Sequence, residues 1–156
     1  MRRPWNRPDL PVYSLSTSDG IHHNMNICTY VTAISMQPKR FIIGVYKDTF
    51  TEVLLKKQPK CILQLLSSSQ YRLVELLGKQ SGHTINKIEK IKNKTGIFHA
   101  IPFLTESCAV ILCKAIHWTD AGDHYAVLCS VITYRNLSNS PILTTEILRE
   151  KKIIRA

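Results

Sequence analysis

Apolar and polar positions change rhythm several times along the 156 residues. Residues 11–17 (PVYSLST) read as a strand, closed by the turn signal Ser18-Asp19-Gly20. Residues 24–36 (NMNICTYVTAISM) are rich in β-branched and aromatic side chains and predict one long strand, ended by Gln37-Pro38. Residues 41–46 (FIIGVY) are almost continuously apolar, as expected of a strand covered on both faces. The period then lengthens. Thr49 followed by Glu52 fits a helix start, Lys56 and Lys57 suit its end, and Pro59 stops it. Residues 61–67 predict another strand. Tyr71, Val74 and Leu77 form a helical stripe, with Gly78 expected as its C-cap. A polar loop (79–87) and a short basic helix follow. Residues 107–118 and 124–134 predict two long strands joined by a hairpin loop in which Gly122 supplies a positive φ. The tail, residues 142–156, reads equally as a short helix or an edge strand.

About six strands with two or three short helices predict a mainly β fold, an antiparallel barrel in a single domain with an N-terminal arm (1–10) and a C-terminal tail (136–156). A doubly wound parallel sheet would alternate strand and helix, and no GxGxxG follows any strand. The arm, with its prolines, is expected to be extended or disordered.

Composition narrows the class. No apolar run approaches the ~20 residues that span a bilayer. The basic N-terminus lacks the apolar stretch of a secretory signal, so a cytoplasmic protein is expected. Five cysteines in apolar surroundings, with no CxxC, read as buried free thiols. A net charge of +10 would suit nucleic acid, acidic membranes or phosphorylated small molecules, but the charge is dispersed and no motif of stacking aromatics accompanies it.

Several segments in order carry a resemblance. These are PVYSLSTSDG, NMNICTYVTAISMQP ending in Ser35-x-x-Pro38, FIIGVYKDTFTEVLLKKQPKCILQLL, LLGKQSGHTINK and DAGDHYAVLCSV. Together they resemble the flavin reductase family, whose fold is an FMN-binding split β-barrel of Greek-key type. The resemblance implies an FMN-binding oxidoreductase, with FAD as the alternative flavin and NADH or NADPH as hydride donor. It also implies a homodimer, and an oxygenase or other electron acceptor as partner. Two rivals are a flavin-binding electron carrier or sensor without nicotinamide turnover and a basic nucleic-acid-binding barrel.

A flavin supplies its own redox chemistry, so no catalytic triad is required. Its phosphate needs donors and positive potential. Lys47, Thr49 and Thr51 stand at a predicted helix start and are the candidates. Asn26, Cys28, Thr29 and Tyr30, with Ser35 further on, are candidates to line the flat ring. Ser81 and Gly82 lie in a loop that a ligand can approach, and Lys87 is a further phosphate candidate. His124 follows the turn Asp120–Asp123 without any Cys or His at metal-ligand spacing, so no metal is expected. The resemblance assigns His124 to the nicotinamide side of the flavin as the catalytic candidate, with Asp123 shaping the turn.

Overall fold

A computed structural model describes residues 1–155. Seven strands form one antiparallel sheet: β1 (Tyr13–Ser18), β2 (His23–Met25), β3 (Val31–Ser35), β4 (Arg40–Tyr46), β5 (Lys60–Leu65), β8 (Ala109–Asp120) and β9 (His124–Asn136). Their order is β2-β1-β5-β8-β9-β4-β3. The two edge strands, β2 and β3, are therefore neighbours in sequence. Five residues, 26–30, connect them and reach at most ~18 Å when extended. A seven-stranded sheet with its margins tied that closely must roll up. The long hairpin β8–β9 assists, with register shifts at Leu112/Cys113 and Ala115/His117; such bulges sharpen the local twist.

The expected single strand over residues 24–36 is thus two strands on opposite margins. A run of β-formers looks continuous in sequence whether or not it changes partners. Here Asn26 breaks the ladder, because its Oδ1 accepts a hydrogen bond from the Leu15 amide at 2.9 Å. Cys28 then pairs with Tyr13 as an isolated bridge, and the Gly44 amide donates to the Tyr30 carbonyl at 2.7 Å.

Inside the roll, Leu15, Ile43, Val45, Leu63 and Val127 pack with Cys28, Cys61, Cys113 and Cys129. All five cysteines are free and buried, as expected. Burial pushes the Cys28 and Cys113 thiols up to about 12. A second cluster lies under α2 (Leu73–Lys79) and α4 (Thr145–Glu150), where Leu66, Val74, Leu77, Leu143 and Leu148 meet Met25.

Helix α1 (Phe50–Lys57) begins where expected. Thr49 caps it, accepting from the Glu52 amide at 3.3 Å. Gly78 is not a C-cap: α2 runs through it to Lys79. A Cβ there would come within 3.2 Å of Ile27, so the glycine allows α2 to lie against the connecting segment. The short basic helix is α3 (Lys87–Lys90). Between it and β8 lies a hairpin not anticipated from sequence, β6 (Thr95–Phe98) with β7 (Ile101–Leu104). The tail forms α4, and the N-terminal arm is ordered against it. The Asp9 carboxylate accepts from the Glu146 amide at 2.8 Å, and Arg2 pairs with Glu146 at 3.0 Å. Among the described residues no helix is long and apolar enough to cross a membrane.

Candidate functional site

The connecting segment and the start of α1 lie beside each other. The chain leaves β4 at Tyr46, turns through Asp48 in a left-handed conformation (φ 62°) and enters α1. A cleft of about 460 Å³ opens at this corner, within the usual size of small-molecule sites. Its walls come from Asn24, Asn26 and Ile27, from residues 48–51, from the end of α2 and from loop residues 80–82. Lys87 and His124 complete it. A smaller cavity of about 130 Å³ shares Asn26, Ile27, Tyr46 and His124 with it and continues along Cys28, Thr29 and Tyr30.

The donors in the cleft suit an anion. Four N–H groups at a helix start lack intrahelical acceptors. Thr49 Oγ1 takes that of Glu52, which leaves the Phe50 and Thr51 amides at the cleft wall. The Thr49 hydroxyl is itself committed, donating to the Tyr46 carbonyl at 2.7 Å. Buried Thr51 accepts from Asn24 Nδ2 at 3.1 Å and keeps its own proton for another acceptor. Ser81 is exposed; its Oγ accepts from the His83 amide at 3.2 Å. Gly82 packs so closely on Asn24 and Phe50 that a Cβ would fall 3.1 Å from Phe50 Cβ. Lys87 is 4% exposed and donates to the carbonyls of Leu77 at 2.8 Å and Met25 at 3.1 Å. Those two bonds leave one ammonium proton over. Burial lowers its pKa to about 8.

The segment 26–30 offers a second kind of surface. The amides of Asn26 and Cys28 donate to Leu15 and Tyr13 carbonyls on β1. In extended chain, successive amides point to opposite sides. Those of Ile27 and Thr29 therefore face away from β1, along the small cavity that both residues line. A flat heterocycle laid against this edge meets backbone donors without any special side chain.

At the far end, His124 Nδ1 donates to Asp123 Oδ1 at 2.7 Å. That bond fixes the tautomer, leaves Nε2 without a hydrogen-bond partner among the described residues, and holds the Asp123 carboxyl below the usual carboxylate range. Tyr30 and Tyr46 meet the imidazole edge-on at 5.2 and 4.7 Å. Gly122, at φ 111°, makes the turn that delivers it.

Of the residues singled out from sequence, Asn26, Thr49, Thr51, Ser81, Gly82, Lys87 and His124 line the main cleft. Cys28, Thr29 and Tyr30 line its extension, Cys28 by its margin, since its thiol belongs to the core. Two lie elsewhere. Ser35 ends β3 beside Met36 and Lys39. Lys47 turns to the hairpin, where its Nζ pairs with Asp120 at 2.8 Å and lies 5.1 Å from the Tyr125 ring. Asn24, Ile27, Tyr46, Asp48, Phe50 and Gln80 line the cleft without having been anticipated. Asp48 carried a readable signal, being a residue that tolerates the left-handed region just before a capping threonine.

Comparison with known proteins decides the class. The model of the flavin reductase like domain matches residues 6–145. The chain belongs to this family. Family membership supports a flavin-binding oxidoreductase domain. A putative diflavin flavoprotein A 3 from Nostoc sp. is 26% identical over 134 residues, which are 85% of this chain and 23% of that protein. The chain thus spans about a quarter of the length of the curated relatives it matches. Among solved structures, the NADH:FAD oxidoreductase SgcE6 of Streptomyces globisporus C-1027 superposes with a TM-score of 0.83 at 18% identity, covering 92% of this chain and 85% of that one. An FMN-binding protein from Thermus thermophilus gives a TM-score of 0.79 at 18% identity, over 89% and 77% of the two chains. BorF, the flavin reductase component of a bacterial two-component tryptophan halogenase, gives 0.80 at 15% identity, over 90% and 88%. These likenesses establish the rolled antiparallel fold of the flavin reductase family for this chain.

Proposed function

We propose that this domain binds FMN in the cleft and catalyses hydride transfer to it from NADH or NADPH. The Phe50 and Thr51 amides, the Thr51 and Ser81 hydroxyls and the Lys87 ammonium hold the phosphate. The outward amides of residues 27 and 29 hold the polar edge of the ring. Bound flavin supplies the hydride-accepting chemistry. The protein's part is orientation and exclusion of water. His124, fixed by Asp123 and braced by Tyr30 and Tyr46, offers Nε2 to the nicotinamide donor. The observation that carries this reading is a pair of adjoining cavities, sharing Asn26, Ile27, Tyr46 and His124, that bring together a helix start, a free backbone edge and an oriented imidazole.

The active form is a homodimer, and the reduced flavin serves an oxygenase or another electron acceptor. A flavin-bound electron carrier without nicotinamide turnover is the second reading, favoured by the likeness to one quarter of a diflavin flavoprotein. The deciding experiment is an absorption spectrum of protein loaded with FMN, followed by anaerobic NADH or NADPH. A retained band at about 450 nm that bleaches supports the reductase. A retained band that does not bleach supports the carrier. Failure to retain either FMN or FAD removes the assignment.

A further inference from the structure

Positive charge that is dispersed along the sequence is gathered by the fold around α4. The N-terminal arm is held there by the Arg2–Glu146 pair and by Arg149, whose Nη2 donates to the Asn6 carbonyl at 3.1 Å. Beyond α4 the chain turns back through Lys152 in a left-handed conformation (φ 59°), and Ile153 and Ile154 rejoin the apolar cluster under α2 and α4. Lys79, at the end of α2, donates to the Ile153 carbonyl at 2.9 Å. Lys151 lies 5.1 Å from the centre of the Tyr71 ring, and Arg72 5.6 Å from it. Three segments distant in sequence thus place Arg3, Arg7, Arg72, Lys151, Lys152 and Arg155 at exposed positions around α4. None of the six forms an ion pair among the described residues. The carboxylates of these segments are mostly engaged: Glu146 with Arg2 and Arg149, Glu75 with Lys79, and Asp9 with the Thr145 hydroxyl and the Glu146 amide. Glu150 alone is left. Uncompensated like charge raises the energy of the isolated protein, and an opposite charge lowers it again. This surface also adjoins the cleft, because α2 follows Arg72 directly and its last residues, Leu77 to Lys79, form cleft wall. Nucleic acid would need open ring faces on which to stack its bases. Here Trp5 carries Arg3 at 6.0 Å and Tyr71 carries Arg72 and Lys151, so at least one face of each ring is taken by the protein's own cations. Carboxylates need no such platform, since guanidinium groups pair with them directly. Trp5, 69% exposed, adds the kind of aromatic contact that protein interfaces favour.

We propose that this basic surface docks an acidic face of a partner protein beside the cleft. The inference rests on the flavin reading only for the partner's role, that of electron acceptor, so docking is measured on protein free of flavin. The probe is a fluorescently labelled oligoglutamate of about twelve residues, followed by anisotropy. Wild type should bind it, and raising the salt from about 50 to about 200 mM should weaken binding roughly tenfold, as screening of exposed charges requires. Arg72→Glu/Lys151→Glu/Arg155→Glu should weaken it by about tenfold or more, and Arg72→Gln/Lys151→Gln/Arg155→Gln by an intermediate factor. Lys39→Glu/Lys60→Glu/Lys114→Glu makes the same change of net charge at exposed positions on the rolled sheet and should leave binding within about twofold. Circular dichroism checks that each variant folds. No binding by wild type, or an equal loss in the two glutamate triples, overturns the proposal. So does tighter binding of an oligouridylate of similar charge, or of phosphatidylserine vesicles, because the surface then belongs to nucleic acid or to lipid. Oligoglutamate binding by a protein that binds no FMN removes the cleft assignment and keeps the docking surface.

Discussion

Inside the rolled sheet, Leu15, Leu63, Val45 and Val127 are fully buried among apolar neighbours and thiols. The cleft is built from polar groups whose bonds are only partly used: Lys87, Thr51 and Asn24 are also buried, yet each lines the cleft. The two regions share the segment 26–30 and divide the work. The interior is satisfied by itself and supplies stability. The cleft holds a buried cation and helix-start amides that keep donors to spare. Burial alone therefore does not mark a residue as structural. What distinguishes the two regions is spare hydrogen-bonding capacity.

The sharpest test of that division is Leu63→Ala. Deleting a fully buried core side chain should cost about 2–5 kcal/mol in urea unfolding, with flavin bound per folded molecule unchanged. A parallel loss of flavin affinity would mean that the regions are not separable. Lys87 gives the converse test. Its folded-state pKa, lowered by burial to about 8, lies below the ordinary 10.5, so the unfolded chain binds more protons between those values. Stability should rise with pH from about 8 to 10.5, by at most about 1.4 kcal/mol per unit, and Lys87→Met should flatten that rise. FMN affinity of the wild type should fall over the same range as the ammonium is lost. Thr51→Val strands the buried Asn24 amide and should cost about 1–3 kcal/mol in stability while weakening FMN roughly tenfold in fluorescence titrations. His124→Ala should leave FMN binding intact and slow anaerobic reduction by NADH about 10–100-fold in stopped flow; unaltered reduction would make it a turn residue only. At the small end, Glu75→Gln breaks an exposed pair with Lys79 beside the cleft, and a change above about 0.5 kcal/mol would be surprising.

Much of this was legible in the sequence, for reasons that differ by element. Strands β5, β8 and β9 were readable because their apolar runs are long and bounded by turns. Helix α1 was readable because Thr49 and Lys57 mark both ends. The break at Asn26 was not, since the residues on either side favour extended chain and only partner choice differs. The β6–β7 hairpin escaped because its strands have four residues each and one contains Pro102. In the site, Thr49, Thr51, Ser81, Gly82, Lys87 and His124 came from motifs that survive as spacing along the chain. The positions of Lys47 and Ser35 depended on side-chain direction, which spacing does not encode. The role of Ile27 lies in its backbone, and no residue type announces a free amide.

The segment 26–30 is both the stitch between the sheet's margins and the floor on which a ligand would rest. Anything gripping that floor must tighten the seam. Amide deuterium exchange at Met25 and Val31, on opposite margins, should then slow together when the cofactor arrives, because opening the roll would first require letting the cofactor go.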